Sequence, residues 1–184
     1  MIVSGSASQA LAARLARELD VSLAEVAFDR FPDGELLAAV PDFSADRAVI
    51  VASTVSSDAH LELLQLQDAV REAGAETVLT VLPYMGYARQ DAAFDAGHPV
   101  SARAVARAIS TGSDAVLTVT PHERGVCDYF DPPATAIAFG SKKVQIRSSC
   151  GFTVRTRSAF VEIALATARA ETGWPAANAS SWRP

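Results

Sequence analysis

Lysine is absent from the first 139 residues of this 184-residue chain, and cysteine, methionine and tryptophan occur only twice each. Cys127 and Cys150 form neither a CxxC pair nor a disulfide framework, so a reducing compartment fits better than an exported one. No uncharged apolar run approaches the roughly 20 residues that a membrane span needs. The first residues carry no basic stretch followed by an apolar one, so we expect no secretory signal. These absences predict a cytoplasmic protein that binds no membrane.

The composition is that of an ordinary globular chain, with 49% hydrophobic and 20% charged residues. It excludes disorder, collagen and coiled coil as overall structures. At this length a single domain with one substantial core is expected, without a metal or a disulfide to stabilise it.

Charge is divided unevenly along the chain. Residues 1–139 contain nine Arg and 19 Asp or Glu, a net charge of −10, whereas residues 140–184 contain seven Lys or Arg and two Glu, a net charge of +5. The basic residues are scattered rather than grouped, so we predict no nucleic-acid partner. We interpret residues 1–139 as the main domain. Residues 140–184 form an atypical basic tail with a helical pattern near 158–171, and an altered reading frame or a degenerated remnant best explains its composition.

Short apolar runs alternate with helix-period segments through residues 1–139, which predicts an α/β fold with a mainly parallel five-stranded sheet. The Pro-Asp-Gly turn at 32–34 predicts a β-hairpin between 24–28 and 35–40 beside that sheet. The remaining predicted elements are strands at 1–4, 48–52, 77–82 and 115–120 and helices at 7–19, 58–73 and 101–109. The helix at 58–73 has a start signal at Ser56-Ser57 and a stop at Gly74, and Ser101 is expected to cap the third helix.

Two loops that follow predicted strands contain the polar residues most suited to chemistry. Ligands bind beyond the carboxyl ends of strands in parallel sheets, so the loops after residues 82 and 120 are the places to look. The first loop carries Arg89-Gln90-Asp91, in which a guanidinium suits phosphate and an amide suits the edge of a base. The second carries His122, whose imidazole can ligate a divalent ion or, when protonated, polarise a phosphate oxygen. The other two histidines, His60 and His98, have no partner pattern and are expected at the surface.

Four ordered segments resemble ribose-phosphate pyrophosphokinase, also called PRPP synthetase, in its halophilic archaeal branch. They are RFPDGE at 30–35, PYMGYARQD at 83–91, PVSAR at 99–103 and TPHE at 120–123. The resemblance covers about residues 1–138. It implies a phosphoribosyltransferase-like three-layer fold, with the hairpin projecting as a flag at a subunit interface. It also implies transfer of the diphosphoryl group of Mg-ATP to the C1 hydroxyl of ribose 5-phosphate, which gives PRPP and AMP.

The same resemblance assigns roles to two groups of residues. Phe31, Asp33 and Glu35 on the hairpin would hold the adenine of ATP bound to a neighbouring subunit, which implies a homo-oligomer.

In the loop at 83–91, Arg89 and Gln90 would contact ATP and Asp91 would support the loop. His122 would lie at the metal–triphosphate site, where Mg²⁺ is the expected ion. No catalytic residue is assigned within this half.

The chain departs from the family pattern in two places. Ala92-Ala93 follows Arg-Gln-Asp where family members often have a basic residue, which removes one phosphate contact. Residues 140–184 contain no Asp, so the acidic ribose-phosphate loop of the family, Asp-Asp…Thr-Gly, is missing from them. We therefore expect ribose 5-phosphate to bind only if a second domain is supplied, and the chain alone to be weakly active or inactive.

Two other functions fit these features. The chain could be a non-catalytic regulatory partner that assembles with intact synthetase subunits, or a nucleotide-binding module with no enzymatic role.

Overall fold

A five-stranded parallel sheet forms the centre of the computed structural model. The structure describes residues 1–119, 124–137, 144–147 and 153–156, the last two segments by their backbone. The predictions for His122 and for a helix near 158–171 concern residues outside these ranges. The sheet order is β1-β4-β5-β6-β7, and its strands are Ile2–Ser4, Arg47–Val51, Thr77–Leu82, Ala115–Val119 and Ala134–Ile137.

All four pairs of neighbouring strands in this sheet are parallel, which confirms the α/β prediction. The strands end side by side, with Ser4 opposite Val51 and Leu82 opposite Thr118. We call this end of the sheet the carboxyl edge. The loop that follows β5 and the segment that leads from β4 into the second helix both start there.

Helices cover both faces of the sheet. They are α1 at Gln9–Leu19, α2 at Ser57–Glu72 and α3 at Ser101–Ser110, with short 3-10 turns at Ser6–Ser8 and Arg124–Tyr129. Leu11 and Leu15 of α1 are fully buried in one core cluster, while Leu63 and Leu66 of α2 are fully buried in a second. Strands buried on both faces in this way read as continuous apolar runs, which is why the sequence predicted them well.

The signals at the ends of α2 act as the sequence predicts. The Ser56 hydroxyl accepts a hydrogen bond from the Ala59 N–H at 3.1 Å. Gly74, just past the end of α2, has a φ of +100°, a conformation that favours glycine.

The prediction that Ser101 caps α3 is wrong. Val100 occupies the N-cap position without a side-chain hydrogen bond, and Ser101 is the first helical residue. Its hydroxyl donates instead to Gln90 Oε1 in the preceding loop. A partner eleven residues away therefore replaces the local backbone partner that a cap would use.

Two antiparallel strand pairs lie outside the main sheet. β2 at Ala27–Arg30 pairs with β3 at Leu36–Ala39, which confirms the predicted hairpin. β8 at Val144–Arg147 pairs with β9 at Thr153–Thr156, in the segment where the sequence predicted no strands. Within the described part of the chain, no helix is long and apolar enough to cross a membrane.

A buried polar cluster joins α2, β5 and the end of α3. The Gln67 side chain is 1% exposed, and its Nε2 lies 2.8 Å from Ser113 Oγ, 3.0 Å from Thr80 Oγ1 and 3.1 Å from the Ile109 carbonyl oxygen. A Cβ placed on Gly112 would lie only 2.6 Å from the Cβ of Gln67. Glycine at 112 therefore allows the chain to pass close to this cluster.

We predict that Gly112→Ala lowers the free energy of unfolding by about 1–3 kcal/mol, because the added methyl overpacks the cluster around Gln67. Gly125→Ala is the control, since a Cβ at that position meets no atom within 4 Å. Urea unfolding of the two variants measures the difference. Equal stabilities would contradict this account of the cluster.

Candidate functional site

The loop that joins β5 to α3 lies against a single threonine at the carboxyl edge. The Gly86 N–H donates to Thr54 Oγ1 at 3.0 Å, and the Thr54 N–H donates to the Tyr84 carbonyl at 2.9 Å. A Cβ on Gly86 would stand 2.3 Å from the carbonyl oxygen of Thr54. Only glycine lets the backbone at position 86 come this close to Thr54. The start of the loop is therefore held against Thr54.

Tyr87 fixes the next part of the loop to the first turn of α2. Its φ of +62° is left-handed, which is uncommon for a bulky residue and requires support from its surroundings. That support is a 3.1 Å hydrogen bond between Tyr87 Oη and Ser57 Oγ and an edge-on contact with the His60 ring at 5.4 Å between centroids. The Gln90 N–H donates to the Tyr87 carbonyl at 3.0 Å, which closes a turn around Arg89.

Gln90 ties the loop to the start of α3. Its Oε1 accepts from the Ser101 hydroxyl, its Nε2 donates to the Pro99 carbonyl at 3.3 Å, and its own carbonyl accepts from the Ala102 N–H at 3.1 Å. The side-chain amide is therefore hydrogen-bonded to other residues of the described part of the chain. That Gln90 also contacts ATP stays a prediction.

Arg89 and Asp91 lie on either side of Gln90 in the sequence. Arg89 is exposed and Asp91 is half-buried. The Tyr129 hydroxyl donates to the backbone carbonyl of Asp91 at 2.8 Å, which joins the loop to the 3-10 turn at Arg124–Tyr129. Hydrogen bonds thus fix the backbone on both sides of Arg89, so its side chain starts from a defined position.

The hairpin tip is a tight turn whose side chains are exposed, including the three predicted site residues. The Gly34 N–H donates to the Phe31 carbonyl at 2.8 Å, and the Glu35 N–H donates to Asp33 Oδ1 at 3.1 Å. Gly34 has a φ of +92°, as the Pro-Asp-Gly signal predicts. Phe31 is 49% exposed, and Asp33 and Glu35 are exposed beside it.

The first turn of α2 joins the hairpin to the loop. Asp58 pairs with Arg30 at 2.6 Å, and Arg30 also donates to the Gly34 carbonyl at 2.7 Å. The neighbouring Ser57 is the residue that bonds Tyr87. The structure therefore brings the two groups of predicted residues, on the hairpin and on the loop, to the same end of one helix. Sequence patterns did not assign Ser57, Asp58 or Tyr87 to these contacts, because the contacts join residues about 30 positions apart.

In the ranges that the structure describes, no three His, Cys, Asp or Glu side chains form a group that could hold a metal ion. The proposed ligand His122 lies outside those ranges.

His60 is not the surface residue that the sequence predicted. Both ring nitrogens are buried and have no hydrogen-bond partner among the described residues. The cause is its position on α2 under the loop, where the Tyr87 ring covers it. Burial lowers the pKa of His60 from its ordinary value of 6.5, because the charged form would lose its hydration. His98 is exposed, as predicted.

A model of one protein family matches this chain over residues 1–112. It describes the N-terminal domain of ribose phosphate pyrophosphokinase.

Curated relatives and a solved structure carry similar names. Ribose-phosphate pyrophosphokinase of Halobacterium salinarum is 64% identical over 138 residues, which are 74% of this chain and 49% of the relative. The Methanopyrus kandleri protein of the same name is 45% identical over 141 residues, 75% of this chain and 48% of the relative. The crystal structure of phosphoribosylpyrophosphate synthetase from Mycobacterium smegmatis aligns with a TM-score of 0.67 and 28% identity, over 75% of this chain and 48% of that one. The chain spans about half the length of the relatives it matches.

We predict that acid weakens the fold through His60. In the unfolded chain this histidine binds a proton near pH 6.5, whereas in the folded chain burial lowers its pKa, so that it binds a proton only at a lower pH. The unfolded state therefore binds more protons as the pH falls below that value, and the free energy of unfolding decreases.

Urea unfolding at pH 7.5 and 5.5 tests this prediction with two variants. His60→Phe keeps a ring against Tyr87 and should lose less stability between the two pH values than the unaltered chain. His98→Gln removes an exposed histidine and should lose as much as the unaltered chain. An unchanged pH dependence in His60→Phe would contradict the assignment.

Proposed function

Because this chain belongs to the ribose-phosphate pyrophosphokinase family, we propose that it holds ATP for transfer of a diphosphoryl group to ribose 5-phosphate. The products of that reaction are PRPP and AMP. The role of the described residues is to bind and orient the nucleotide. Phosphoryl transfer depends on such positioning and on charge neutralisation more than on covalent chemistry by the protein.

The observation that carries the proposal is the fixed backbone around Arg89. Thr54, Tyr87 and Gln90 each hold one part of this loop by a hydrogen bond, at the edge of the sheet where parallel α/β folds bind ligands. The guanidinium of Arg89 can donate two parallel hydrogen bonds to phosphate oxygens. A preorganised loop spends little binding free energy on its own ordering.

We assign the base of ATP to the hairpin and the phosphates to the loop. Phe31 offers an exposed aromatic face on which adenine can stack, and Asp33 and Glu35 can accept hydrogen bonds from its amino group. The two carboxylates would repel a triphosphate, so the hairpin is unsuited to the phosphate end. The hairpin serves ATP bound to a neighbouring copy, and the working form is a homo-oligomer.

Mg²⁺ enters this site with ATP. Magnesium is usually held by substrate phosphates, waters and one or two carboxylates. Bound to ATP, the ion neutralises charge on the phosphate oxygens. His122 is the proposed protein contact of the metal–triphosphate group.

Ribose 5-phosphate requires a second domain in this proposal. The basic tail at 140–184 has no Asp with which to form the family's acidic ribose-phosphate loop.

Arg89→Ala should weaken binding of Mg-ATP by roughly tenfold or more, because a charge-assisted hydrogen bond contributes about 1.5–3 kcal/mol. Isothermal titration calorimetry measures the dissociation constant. Arg107→Ala, an exposed arginine on α3, removes the same charge away from the loop and should leave the affinity within about twofold. Equal losses in both variants would mean that only net charge matters.

The 184-residue polypeptide alone should form little or no AMP from Mg-ATP and ribose 5-phosphate. Residues 140–184 lack the Asp residues of the family's ribose-phosphate loop, so ribose 5-phosphate would not be held beside the phosphates of ATP, and phosphoryl transfer depends on that positioning. Chromatography of the nucleotides follows AMP, and an intact synthetase serves as the positive control. Robust formation of AMP and PRPP by this polypeptide would contradict the proposal.

A further inference from the structure

The side chain of Gln65 occupies the outer edge of the hairpin. β3 pairs with β2 on one side, so its other side presents backbone groups to whatever lies beside it. The Ala38 N–H donates to Gln65 Oε1 at 2.7 Å, and Gln65 Nε2 donates to the Leu36 carbonyl at 2.8 Å. One primary amide thus satisfies a donor and an acceptor two residues apart, as a peptide group of an adjacent strand would.

Both hydrogen bonds of Gln65 are partly buried, so their loss should lower the stability of the hairpin's attachment. Ala38 is 4% exposed and belongs to the core cluster that also contains Leu63 and Leu66 of α2. Backbone groups that are partly buried lose stability when their partner is removed, since water does not replace it fully. A carboxylate at position 65 would lack the donor, and an aliphatic side chain would lack both groups.

Gln65 and Asp58 hold the hairpin from the same face of α2. They are seven residues apart, two helical turns, and therefore lie one above the other. The Asp58–Arg30 pair is exposed, with side-chain exposures of 64% and 53%, so water and salt weaken it. The partly buried amide bonds of Gln65 are the stronger attachment.

We propose that Gln65 is a positioning residue, which fixes the hairpin on α2 and so sets where Phe31, Asp33 and Glu35 meet the nucleotide. This inference rests on the proposed function for its second half, the effect on ATP. Its first half concerns only the attachment of the hairpin. Gln65 acts through its hydrogen bonds to the backbone of β3.

Hydrogen exchange of the full chain tests the attachment. In Gln65→Ala the amide of Ala38 should exchange about tenfold faster, the change expected for the loss of one or two net hydrogen bonds. Amides of β5 should keep their rates. Asp68→Ala is the matched control, because this exposed residue lies one turn further along α2. An unchanged Ala38 rate in Gln65→Ala, or an equal increase in Asp68→Ala, would overturn the attachment.

Gln65→Glu is a second variant, which keeps the test decisive if Gln65→Ala fails to fold. It keeps an acceptor for the Ala38 N–H while losing the donor to Leu36. The Ala38 amide should therefore exchange more slowly than in Gln65→Ala. A rate as fast as in Gln65→Ala would contradict the paired geometry.

A double-mutant cycle in the affinity for Mg-ATP tests the proposed effect of Gln65 on ATP binding. Gln65→Ala should raise the dissociation constant about fivefold, and this effect should disappear in a Phe31→Ala background, since both act through the hairpin. Additive effects, or an unchanged affinity despite faster exchange at Ala38, would overturn the positioning role. If the unaltered chain binds no ATP, the proposed function fails and the inference about ATP fails with it, while the exchange rates still decide whether Gln65 attaches the hairpin.

Discussion

The parallel pairing of β4 with β5 is the constraint on which the candidate site depends. Because the two strands run the same way and end side by side, the segment that leads into α2 and the loop that follows β5 start from the same edge. Thr54 and the first turn of α2 are therefore next to the loop at 83–91 without any special arrangement. The hairpin reaches the same place through Arg30 and Asp58.

In the described part of the chain, uncharged amides make several of the contacts that position one element against another. Gln65 completes a strand edge, Gln67 joins α2 to β5, and Gln90 joins the loop to α3. The Gln65 amide uses its donor and its acceptor together, which lets it bridge two backbone groups of β3 as a strand partner would. Arg89, in the loop at 83–91, is exposed at the carboxyl edge.

The sequence predicted the elements whose pattern is local. The strand at 77–82 has the predicted bounds, and the hairpin turn follows from Pro-Asp-Gly. What it missed depends on contacts between distant residues. The burial of His60 follows from Tyr87 folding over it, and the hydroxyl of Ser101 turns to Gln90 rather than to its own helix. The pairing of β8 with β9 was also missed, since the pattern there indicated only a helix further on.

The central claim is that the carboxyl edge presents two parts of a nucleotide site. The loop at 83–91 binds the phosphates of ATP, and the hairpin tip contacts the base of ATP bound to a neighbouring copy. Titration of Mg-ATP into the isotope-labelled chain, followed by backbone amide resonances, tests it most directly. The account predicts that the largest shifts fall on residues 86–91, with a second group at 31–35. Shifts confined to other parts of the chain, such as the turn at 5–8 after β1, would contradict it.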